Sequence, residues 1–129
     1  MPLLSELESN LQSARRSGNL AALSLALGQI ARFCHDSGKL REAVAYWNED
    51  IEVAKRMGNN FGVASNAQMV AGTAEAELGD PAGARAYWEA MYHAALKLNS
   101  AEDRDRFVPT YFGFIEREKD RAAGRRVRF

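Results

Sequence analysis

The side chains with the most chemical potential stand together at Cys34-His35-Asp36, followed closely by Gly38-Lys39. A thiol beside an imidazole is the pairing of a nucleophile with its base, and an imidazole beside a carboxylate that of a base with its orienting group. Sequence neighbours on a helix, however, point about 100° apart. Cys34 also continues the apolar stripe of Leu20, Leu23, Leu27 and Ile30, so its thiol is expected to be buried and inert. Gly38-Lys39 lacks the upstream glycine of a phosphate-binding loop, and neither G-x-G-x-x-G nor G-x-S-x-G occurs. His35 and His93 are isolated, with no H-E-x-x-H or cysteine-rich setting, so neither a metal centre nor a cofactor is expected. An enzyme using His35 with Asp36 remains as an alternative to a protein without catalysis.

The elements that carry these residues are helical. Among 129 residues there are three prolines, alanine is abundant and β-branched residues are sparse. The formal net charge is zero, which argues against a surface devoted to nucleic acid or anionic lipid. The single cysteine excludes an internal disulfide and fits a reducing, cytoplasmic setting. The start, Met-Pro-Leu-Leu-Ser-Glu, is not a secretory signal, and the uncharged stretch from Ser17 to Ala31 is too short and too polar to span a bilayer.

The chain repeats itself. "REAVAYWNEDIEVAK" at 41–55 is echoed by "GARAYWEAMYHAALK" at 83–97. At an offset of 41, Gly38 pairs with Gly79, Ala43 with Ala84, Trp47 with Trp88 and Ala54 with Ala95; upstream, Ala31 falls on Gly72 and then on Gly113. Fixed-period self-similarity marks a helical repeat array. Glycines or asparagines at 18–19, 38, 58–60, 79 and 99 separate the stripes, Pro81 suits a first helical turn, and Ser100 with Asp103 reads as a capping box. Six helices follow, over about 3–16, 20–36, 40–57, 60–78, 81–98 and 101–122, in one domain of residues 1–123. Pro109 should kink or restart the sixth. Residues 124–129 form a basic tail.

Over residues 20–115 the pattern resembles the tetratricopeptide repeat family in its longer form, with units near 40 residues. The first unit matches at Leu27, Ile30, Ala31, Gly38, Leu40, Ala43 and Trp47, the second at Ala71, Gly72, Gly79, Asp80, Ala84 and Trp88. Gln68 and Glu75 stand where large apolar residues are usual, so that helix is expected to pack less tightly. The resemblance implies an all-α, right-handed superhelical solenoid of antiparallel helix pairs. Small residues at 31, 72, 113, 43 and 84 would let helices approach, while Trp47 and Trp88 fill the gap to the next unit.

Two surfaces are left for function. The resemblance implies a concave groove that holds a protein or peptide segment, here Leu25, Gly28, Arg32, His35 and Asp36 with Asn66, Met69, Thr73 and Glu77. The truncated third unit adds Phe107, Thr110 and Phe114. At the C-terminal end Phe107, Tyr111, Phe112, Phe114 and Ile115 crowd a helix that no partner helix follows. This suggests, as the alternative to a groove-binding adaptor, a regulatory or chaperone-like subunit that docks a partner or self-associates into an oligomer there. The tail "RAAGRRVRF" carries Arg121, Arg125, Arg126 and Arg128. Four charges bind phosphate weakly at physiological salt, so nucleic acid is not the expected partner and the tail is expected to be a frayed, solvated terminus.

Overall fold

The computed structural model describes residues 3–129, and they are all helical or irregular, without strands. The helices are α1 (Leu4–Ser17), α2 (Leu20–Asp36), α3 (Leu40–Arg56), α4 (Asn60–Gly72), α5 (Pro81–Leu96), α6 (Ala101–Asp105) and α7 (Val108–Ala122). From α1 to α5 each packs chiefly on its neighbours in the chain, and α7 returns to cover α5. The architecture is therefore an all-α stack of antiparallel helices.

Local chemistry sets the helix ends. The side chains of Asn19, Asn59, Asp80 and Ser100 accept hydrogen bonds from the amides three residues on, at 2.9–3.0 Å, which satisfies otherwise orphaned donors. Gly38, at φ 79°, lets the chain leave α2 so that Lys39 N–H donates to the Cys34 carbonyl at 2.8 Å.

The second unit contains a feature that its sequence conceals. After Gly72 the helix widens into a π-helical turn, Thr73–Glu77. Leu78 N–H there reaches back five residues to Thr73, and Asp80 N–H reaches six residues back to Ala74. The caps Asn19 and Asn59 are 40 residues apart, whereas the exit glycines Gly38 and Gly79 are 41 apart. The π-turn absorbs the extra residue. Up to that turn the true offset is therefore 40, and Ala31 corresponds to Ala71, both fully buried. The expected pairing of Ala31 with Gly72 is corrected, because a methyl group at Gly72 would meet nothing within 4 Å and the glycine mediates no close approach. Gly113 is also uncrowded, its nearest neighbour being the Arg117 side chain.

The expected sixth helix is two. α6 ends at Asp105 and α7 restarts at Val108, with Pro109 inside its first turn, where a missing N–H is tolerated. The break lets Phe107 and Phe114 both point inward. Phe107 meets Phe61 edge-on at 5.3 Å and Phe114 stacks on Trp88 at 5.8 Å. Trp47, Trp88 and Cys34 are all buried.

Candidate functional site

A cleft of about 480 Å³ lies between α2 and α4. Leu25, Gly28 and Arg32 line one wall at the spacing of one helical face, and Asn66 and Met69 line the other. Trp47 of α3 closes the floor. Five of the nine groove residues expected from the first two units thus share one cleft.

Asp50 pins the two walls together, a part that sequence reasoning missed. It is buried, accepts from Ser24 Oγ of α2 at 2.6 Å, and accepts from Asn66 Nδ2 of α4 at 3.0 Å. Burial pushes its carboxyl above the ordinary value, against the pull of those two donors. The only sequence signal was an acid three residues after Trp47 and four before Ala54, in step with the otherwise apolar face of Trp47, Ile51 and Ala54.

His35, Asp36 and Glu77 form a separate cluster at the C-terminal end of α2. His35 Nε2 lies 2.8 Å from Glu77 Oε1, which joins α2 to the π-turn, and Nδ1 lies 3.6 Å from the neighbouring Asp36. The imidazole also sits 5.6 Å from the Trp47 ring. The Glu77 hydrogen bond raises the His35 pKa above 6.5, with burial opposing and Asp36 assisting. A base with a raised folded-state pKa stabilises the fold fully below the unfolded value and loses that contribution as pH rises through the folded value. Wild type should therefore lose stability above pH 6.5, by under about 1 kcal/mol for so exposed a pair. In urea melts at pH 6 and pH 8, Glu77→Gln should shrink that difference to the smaller part owed to Asp36; an undiminished difference would remove the ion pair.

Thr73, expected on the groove face, is instead 3% exposed. It opens the π-turn while its own N–H still bonds the Met69 carbonyl, and at the offset of 40 that holds up to there its counterpart in α2 is Phe33, not the groove residue Arg32. Phe107 and Phe114, also expected at functional surfaces, are 3% and 0% exposed. They are core residues because Phe114 of α7 packs on Trp88 of α5, while Phe107, just before α7, packs on Phe61 of α4. Of the expected association surface only Phe112 is substantially exposed. Tyr111 and Ile115 are half-buried, with Tyr111 stacked on Tyr92 at 4.4 Å.

Glu75, expected to loosen its helix, does the reverse. Its side chain has no exposure and accepts from the Trp88 indole at 3.0 Å and from Arg117 and Arg121 at 2.7–2.8 Å. Burial raises its pKa, but the hydrogen bonds and charges of the two arginines prevail and hold it below the ordinary value. Arg121 accordingly belongs to α7 and its ion pair rather than to a frayed tail. Arg125 pairs with Asp120 at 2.9 Å, and Arg117 lies 5.1 Å from the Phe129 ring.

Among the described residues, no helix is long and apolar enough to cross a membrane. No protein-family model, no curated protein and no solved structure matches this chain.

Proposed function

We propose that this chain is a tetratricopeptide-like interaction module of the cytoplasm, an adaptor that acts without catalysis by docking a protein segment in the α2–α4 cleft. The observation that carries this reading is the cleft itself. It is an open trough bordered by the exposed Leu25 and the half-buried Met69, while Asp50 hydrogen-bonds to both of its walls. A trough braced in advance loses little entropy when a segment enters it. The 40-residue repeat supports the family reading, and the burial of both tryptophans supports their role as packing elements.

Gly28 offers a direct test, because a Cβ there would meet nothing within 4 Å. Gly28→Phe should fill the cleft and keep the fold, since glycine is a poor helix former. In affinity capture from native lysate the variant should lose the proteins that wild type retains, and Met69→Glu should lose the same ones. Equal capture by all three proteins, with unchanged melting temperatures, would remove the cleft as the docking site.

A further inference from the structure

The α2–α4 cleft does not stop at α2. On the far side of Leu25 a second hollow of about 320 Å³ lies between α1 and α2, walled by Asn10, Ser13 and Ser17 of α1 and by Ala22 and Ala26 of α2. Leu25 and Gln29 line both hollows, so the two make one path across α2, with Leu25 as the ridge at 65% exposure.

The chemistry of the path is uniform. Arg32 is the one charged side chain lining either hollow, in a chain of which 26% is charged, and it already lies 3.7 Å from Asp36. The hollow between α3, α4 and α5 differs, being lined by Lys55, His93 and Lys97. A charged segment laid along α1, α2 and α4 would lose hydration without gaining a counter-charge, whereas an uncharged one would not. Exposed Asn10, Ser13 and Gln29 each offer both a donor and an acceptor. A polypeptide backbone presents one of each per residue, which is the complementary pattern.

We propose that the two hollows together hold one extended, uncharged polypeptide segment of a partner protein. It would run from the α1–α2 hollow over Leu25 into the α2–α4 cleft, held by main-chain hydrogen bonds to the amides and hydroxyls and by apolar contact with Leu25 and Met69. The packed α1–α2 pair, at a spacing of about 8–10 Å, takes about three residues at about 3.3 Å each, and the open cleft from α2 to α4, which are not a packed pair, takes at least as many. The inference rests on the reading of the α2–α4 cleft as a docking site, and adds both a second subsite and the class of sequence recognised.

The probe is a phage-displayed library of random dodecapeptides panned on the full chain. Enriched peptides should share an uncharged run, and synthetic copies should bind with a Kd that changes less than about twofold between 50 and 500 mM NaCl, since no charge pair is screened. Binding should weaken at least about tenfold, or a loss of about 1.4 kcal/mol, in Gly28→Phe and equally in Ser13→Phe, which blocks the α1–α2 hollow from an exposed position. Both variants must melt like wild type. Charged, salt-sensitive peptides, or peptides lost in Gly28→Phe but retained by Ser13→Phe, would overturn the uncharged two-hollow path and leave the cleft standing. No enrichment, or binding indifferent to Gly28→Phe, would overturn both.

Discussion

Glu75→Ala should lower the folding stability by about 3–5 kcal/mol, towards the lower end because Arg121 keeps 27% of its side chain exposed. The loss has a specific origin. The carboxylate is the meeting point of the π-turn, Trp88 of α5, and Arg117 and Arg121 of α7. Removing it leaves two guanidinium groups and an indole N–H without their acceptor, and Arg117 is only 14% exposed. Urea unfolding at neutral pH measures the effect, and a loss below about 1 kcal/mol would mean that the arginines simply turn out to solvent. The pH dependence provides a second check. An acid with a depressed folded-state pKa stabilises the fold above its unfolded value, here 4.5, and loses that contribution as pH falls through the folded value. Wild type should therefore weaken as pH drops below 4.5. Glu75→Gln should lack this component while keeping the shape of the site.

Glu75 also marks the limit of what the sequence revealed. The stripes of α2, α3 and α5, the Ser100 cap and the glycine exits were legible because each depends on spacing along one segment. The π-turn was not. A single extra residue leaves the pattern tolerable at an offset of 40 or of 41, and only the distances between caps and exits show where it is absorbed. The misplacement of Thr73 and the pairing of Ala31 with Gly72 both follow from that slip. Leu25, Gly28 and Arg32 were found because the first unit has no such turn, whereas Asn66 and Met69 line the cleft although the same offset of 41 placed them. Asp50 escaped for a different reason. A buried acid looks like a solvated one until its partners, 26 and 16 residues away in sequence, are seen to face it.

The aromatic C-terminal segment yields the second large effect, by separating two residues that the sequence presents as equals. Phe114 is fully buried and stacked on Trp88, so Phe114→Ala should cost about 3–5 kcal/mol. Phe112 is 52% exposed and touches Tyr92 and Tyr111 only edge-on, at 5.9 and 5.7 Å. Phe112→Ser should therefore cost about 1 kcal/mol, the worth of such contacts. Urea melts of the two variants measure the contrast, and similar losses would mean that α7 seats differently on α5. The same pair of variants decides what this end of the stack does. A solenoid end needs cover, and here Phe107, Phe114 of α7 and the Glu75 ion pairs supply much of it, leaving Phe112 as the exposed aromatic of α7, with Phe129 of the tail also outside. If that residue joins copies of the chain, Phe112→Ser should lower the mass measured by light scattering while the helical signal stays intact. An unchanged mass would exclude self-association through Phe112, because a single exposed ring cannot be the centre of an interface that survives its removal.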